Sequence, residues 1–168
     1  MTFCPEDFYE LGKKLKNDNN YIRFDEARKR TSASRVYYSL YLKLRDELLR
    51  YLLGSSVYPQ LSEVAESGLM HSCLLEILKK VDLQSSYKFG SLQELRKKSD
   101  YEVDISVGDN EVEDAIAIYE ELSRKIPDLL KRVSNDVDRK NSRVREVIQR
   151  YYERKHKRRK RKKNGWFN

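Results

Sequence analysis

Val36, Leu40, Leu44, Leu48 and Leu52 recur every four residues, with Tyr37, Tyr41 and Leu49 widening the same stripe. A period near 3.6 residues over four turns fits one face of an α-helix and no strand, whose apolar positions would alternate. A long amphipathic helix from about Asp25 to Leu53 is therefore expected, with Gly54 ending it and "GSSVYP" as the connection. A helix of this length must bury its stripe against other helices. The chain has the means to supply them, since six Gly and three Pro in 168 residues leave few breakers.

Pro5, Glu6 and Asp7 suit a first helical turn, and Phe8, Leu11 and Leu15 fall on one face, so a short helix is expected before "NDNN", Asn17 to Asn20. Two shorter helices, Gln60 to Glu66 and Leu69 to Val81, part near Gly68. "DLQSSYKFGS", Asp82 to Ser91, reads as a loop. Ser91 with Glu94 three residues on reads as a capping box that starts the next helix, which runs into Arg96 and Asp100.

Val112, Ala115, Ile116, Tyr119, Leu122, Ile126, Leu129, Leu130 and Val133 mark a further long helix, with Pro127 kinking it or beginning its second half. Val144, Val147, Ile148 and Tyr151 add a turn or two of helix after "SNDVDRKNS". The expected fold is all-α, an up-and-down helical bundle over residues 1–134, with 135–168 forming a C-terminal helix and basic tail.

Charge is concentrated in that tail. Nine of the ten residues from Arg154 to Lys163 are Lys or Arg, leaving 26 basic against 27 acidic residues elsewhere. Arg154, Lys155, Lys157, Arg158, Arg159, Lys160, Arg161, Lys162 and Lys163 suit a phosphate backbone, while Tyr151, Tyr152, Trp166 and Phe167 suit stacking on unpaired bases. Nucleic acid is the expected partner, with RNA suiting the resemblance described below; a solvated charged end and a membrane-surface or nuclear-localisation segment are the competing readings. Two cysteines, Cys4 and Cys73, and two histidines, His71 and His156, form no zinc-type spacing, so no metal or cofactor is expected. The absence of an apolar N-terminal run points to a cytoplasmic protein without a transmembrane segment.

Two polar constellations lie inside the helices. Ser34, Arg35 and Tyr38 share a turn in "RTSASRVYYSLY", and Arg96 and Asp100 share a face in "LQELRKKSDYEVD", with Tyr101 farther round. These stretches, with "GLMHSCLLEILKK" and "EVEDAIAIYEELSRKI", resemble in order the signatures of HEPN domains, the higher eukaryote and prokaryote nucleotide-binding helical bundles. The resemblance covers roughly Phe24 to Leu130. It lies with the subgroup carrying Leu-Arg-x-x-Ala-Asp-Tyr, Ser99 standing where that signature has alanine.

The resemblance implies a homodimeric, metal-independent ribonuclease of a toxin or antiviral defence system. Arg96 would bind phosphate, Asp100 and Tyr101 would orient groups or handle protons, and Ser34, Arg35 and Tyr38 would form a second cleft wall. Many such proteins carry a histidine four to six residues after the arginine. Here Asp100, Tyr101 and Glu102 occupy that window, and His71 is the remaining candidate base. A second reading therefore stays open: a non-catalytic HEPN module that binds nucleic acid or a partner protein, such as a nucleotidyltransferase-type antitoxin or a larger defence complex.

Overall fold

Pro5 opens α1 (Pro5–Asn17) with Glu6 and Asp7 in the first turn, and the Asp18 carboxylate then accepts the Asn20 amide to start a 3-10 turn over Asn19–Phe24. This computed structural model describes residues 4–164, apart from the side chains of residues 19, 21, 22 and 159–164. Within it follow α2 (Asp25–Tyr51), α3 (Tyr58–Ala65), α4 (Met70–Val81), α5 (Leu83–Tyr101), α6 (Asp109–Val137) and α7 (Arg143–Asn164). The protein is all-α, with no strand among the described residues. No helix among them is long and apolar enough to cross a membrane.

The chain forms two compact units, Met1–Leu44 with Tyr87–Ile126, and Arg45–Ser86 with Pro127–Asn168. In the first unit the α2 stripe is buried as the spacing requires: Val36, Tyr37 and Leu40 are enclosed, and the Tyr37 ring centroid lies 5.8 Å from that of Phe89 on α5. Ala33 packs with Val107 and Val112, and Leu95 and Ile116 close over them. Helix α1 is fastened to α6 by Tyr9, which stacks on Tyr119 with centroids 3.9 Å apart and donates its hydroxyl to Glu120.

The face that α1 buries differs from the expected one. Tyr9 and Gly12 are enclosed, whereas Leu11 is 44% exposed. The cause is a close helix–helix approach at Gly12, where the buried Ser32 hydroxyl donates to the Gly12 carbonyl at 2.6 Å. A β-carbon on Gly12 would lie 2.9 Å from Val36 Cγ2 and 3.1 Å from the Ser32 carbonyl oxygen.

In the second unit α7 packs on α3 and α4, and Leu61, Val64, Leu74, Ile77, Val144 and Ile148 are buried. Ser142 caps α7 by accepting the Arg145 amide, and Asp136 receives both the Ser142 hydroxyl and the Val144 amide. Gly54 has φ 86°, the left-handed conformation expected where α2 stops.

Two expectations are corrected. Asp82 to Ser91 is not a loop: α5 begins at Leu83, with the Asp82 carboxylate accepting the Ser85 amide at 2.8 Å. Burial of Ser85, Ser86 and Phe89 outweighs the weak helix preference of serine and glycine, and Ser91 lies inside the helix, donating back to the Tyr87 carbonyl. Nor does helix stop before the basic run. α7 continues to Asn164, because lysine and arginine are good helix formers and no Gly or Pro interrupts them before Gly165.

Gly12→Ala should lower unfolding free energy by about 1–3 kcal/mol, because neither Val36 nor the Ser32 backbone can move aside freely. Gly68→Ala, with nothing within 4 Å of the added carbon, should change it by less than about 0.5 kcal/mol. Urea unfolding of the two variants beside the parent checks both.

Candidate nucleic-acid interface and the Arg96 cluster

The C-terminal end of α5 must satisfy its last carbonyls before the chain turns into α6. Arg30 of α2 does this. Its Nη1 donates to the carbonyls of Lys98 (3.0 Å) and Ser99 (3.1 Å), and its Nη2 to those of Glu102 (3.0 Å) and Ile105. Glu26 orients the guanidinium by accepting from Nε at 2.7 Å, and the same carboxylate oxygen accepts the Val107 amide. Positive charge at a helix C-terminus is also favourable in the helix field. Arg28, two residues earlier, serves α1 in the same way, donating to the carbonyls of Leu15 and Lys16.

On the turn so fixed stand Arg96, Asp100 and Tyr101. Arg96 Nη2 donates to the hydroxyls of Tyr38 on α2 and Tyr101, the latter at 3.1 Å, and its guanidinium carbon lies 5.1 and 5.0 Å from the two ring centroids. Its Nε stands 2.8 Å from Asp100 Oδ2, an ion pair in which the N–H is not aligned on the carboxylate. Burial opposes the charge on Arg96, but the Tyr101 hydrogen bond, together with Tyr38 and Asp100, more than offsets it and holds the guanidinium pKa above its ordinary value.

The fold thus brings Tyr38 together with Arg96, Asp100 and Tyr101. The other two expected wall residues sit differently: Arg35 lies over the Phe8 ring of α1 at 4.8 Å, and Ser34 is buried. No histidine lies in the stretch from Arg96 to Asp104. His71 lies on α4 and His156 on α7, both in the second unit, where His156 Nε2 is 3.1 Å from a Glu63 carboxylate oxygen. Among the described residues no group of His, Cys, Asp and Glu is placed to hold a metal ion. Lys97 and Lys98 follow Arg96 directly, and beyond them come Asp100, Glu102 and Asp104, of which Glu102 and Asp104 are both exposed.

The basic run presents another chemistry. Arg154, Lys157 and Arg158 are exposed on α7, Arg154 lying 5.1 Å from the Tyr151 ring centroid. Lys155 instead turns inward and is only 6% exposed. Its ammonium donates to the Glu63 carbonyl at the end of α3 and faces the carboxylates of Glu63 at 3.5 Å and Glu66 at 4.0 Å. The side chains of Arg159, Lys160, Arg161, Lys162 and Lys163 lie outside the described residues, as do Trp166 and Phe167.

The second unit carries 20 basic and 11 acidic residues, a net +9, against 15 and 16 in the first. The excess positive charge of the chain therefore belongs to one unit, and nine of its 20 basic residues lie in the run from Arg154 to Lys163.

The inward turn of Lys155 was legible in the spacing, since Val144, Ile148, Tyr151 and Lys155 continue one stripe. Arg30 carried no such signal: its partners are main-chain carbonyls 68 to 75 residues away. In comparisons with known proteins, no family model, no curated protein and no solved structure matches the chain.

Arg30→Lys should lower unfolding free energy by about 1–3 kcal/mol, because an ammonium cannot reproduce the fork that spans four carbonyls. Hydrogen exchange should accelerate at residues 102–105 while the amides of α1 keep their protection.

Proposed function

We propose that this chain is an RNA-binding helical module that holds RNA on the basic face of α7 and does not cut it. One observation carries the reading: Arg154, Lys157 and Arg158 are exposed on a helix held by Lys155 and His156 to α3, with no acid from Arg154 onward in the run. Cations on a formed helix lose less conformational freedom on meeting phosphate than cations on a free chain do. RNA rather than DNA follows from the HEPN resemblance, which also places a homodimer or a nucleotidyltransferase-type partner among the expected assemblies.

The non-cleaving half of the reading rests on the Arg96 cluster. Tyr38, Tyr101 and Asp100 engage the guanidinium, and the window four to six residues after Arg96 holds Asp100, Tyr101 and Glu102 in place of a histidine that would take a proton from a ribose 2′-hydroxyl.

A second reading, a metal-independent ribonuclease, is favoured by one feature: Tyr38 and Arg96, 58 residues apart and both named by the resemblance as cleft residues, meet in one cluster. In that case Arg96 would leave Asp100 for the scissile phosphate.

Fluorescence anisotropy with a single-stranded RNA of about 20 nucleotides tests the first reading. Lys157→Glu with Arg158→Glu should weaken binding at least tenfold near 0.1 M salt and flatten the dependence on salt, since each phosphate contact contributes about −0.7 to the slope of log K against log salt for single strands. Arg96→Ala should leave affinity within about twofold. RNA incubated with the parent in EDTA should stay intact; fragments with cyclic phosphate ends, lost in Arg96→Ala, would establish the ribonuclease instead.

A further inference from the structure

The chain holds a counterpart to its basic run. From Asp100 to Ser123 it carries nine acidic residues and no Lys or Arg. Within the first unit six of these carboxylates are engaged: Asp100 with Arg96, Asp109 with Lys29, Glu111 with Lys98, Glu113 with Lys16, Glu120 with Tyr9 and Glu121 with Lys88. Glu102, Asp104 and Asp114 form no ion pair among the described residues.

Glu102 and Asp104 alternate with the exposed apolar residues of the turn after α5. Tyr101 is 68% exposed, Val103 80% and Ile105 50%. Three large apolar side chains in five residues are a costly surface to leave in water, and exposed apolar clusters of this kind mark contact sites. The turn is not a loose loop: Arg30 fixes its backbone through the carbonyls of Glu102 and Ile105, so the two carboxylates and three apolar groups are presented together.

We infer that this acidic and apolar turn, residues 101–105, is a docking surface for the basic end of α7 from a second copy of the chain. Charge complementarity selects the occupant. Arg154, Lys157 and Arg158 are exposed and form no ion pair among the described residues, while Glu102 and Asp104 are carboxylates in the same condition. Beyond the cations the sequence continues into Trp166 and Phe167, the residue types that would cover Val103 and Ile105. The contact is heterologous, joining two different patches, so it closes as a reciprocal pair or extends head to tail. Because it uses the cations assigned above to RNA, self-association and RNA compete; that last step rests on the proposed function, whereas the docking does not.

Sedimentation of the full chain over a concentration series, at about 50 mM and about 500 mM salt, tests the inference. The parent should reach at least twice the chain mass at low salt and return to single chains at high salt. Glu102→Lys with Asp104→Lys, and separately Lys157→Glu with Arg158→Glu, should each stay single at concentrations where the parent associates, with helical circular dichroism unchanged. Mixing the two variants should restore a mass of two chains, because the reversed charges match again.

A parent that stays single throughout, reversals that leave association intact, or a mixture that fails to associate would each overturn the docking. Adding the RNA of about 20 nucleotides to associated parent should release single chains bound to RNA. Association with no RNA bound would keep the docking and remove the RNA reading. RNA bound without release would remove the competition.

Discussion

Two guanidinium groups on the first turns of α2 carry the organisation of the first unit. The last carbonyls of a helix have no partner within it and must find one elsewhere. Arg28 and Arg30 answer this for α1 and α5 in turn. Arginine suits the task because its donors are fixed in a plane and its charge survives burial. Glu26 and Asp25, from the same turns, hold the two forks in place. The N-terminal end of α2 thereby fixes where both neighbours stop. Since α5 stops at Tyr101, it also fixes Arg96, Asp100 and Tyr101 with respect to Tyr38.

That dependence bears on what the polar cluster can do. Residues that would serve as a cleft in an unoccupied arrangement instead satisfy one another: a guanidinium against two phenols and a carboxylate. Free cations are found elsewhere, on a helix whose attachment uses one lysine and one histidine against Glu63. The chain separates its charge, with a nearly neutral first unit and a second unit carrying the excess.

Much of the fold could be read from spacing alone. The stripe of α2, the proline at the start of α1, the glycine after α2 and the apolar series of α6 each rest on a local rule, and each element formed where that rule puts it. The failures share a cause. Ser85, Ser86 and Gly90 discourage helix locally, yet burial of Phe89 between helices overrides them. Leu11 reads as core, but the close approach at Gly12 rotates α1 and buries Tyr9 instead. Of the candidate site, the Arg96–Asp100 pair was legible as an i, i+4 spacing, whereas the meeting of Tyr38 with Arg96 joins two helices and no spacing gives it. The inward face of Lys155 follows the α7 stripe, whereas the capping by Arg30 depends on main-chain partners that no residue pattern announces.

The two units alternate along the chain, and this bears on how the protein reaches its fold. The first takes residues on either side of a 42-residue interruption, 45–86, and the second on either side of a 40-residue one, 87–126. Neither can be released by a single cut. During synthesis the α1–α2 pair emerges early but must wait for α5 and α6 before its apolar stripe is covered, and α3 and α4 wait for α7. Closing such loops costs chain entropy before any contact is gained, roughly in proportion to the logarithm of loop length. For a helical protein this places much of the folding barrier in bringing distant segments together, while the helices themselves form fast. The exposed apolar faces of the partly made chain are then the species most exposed to aggregation or to chaperones.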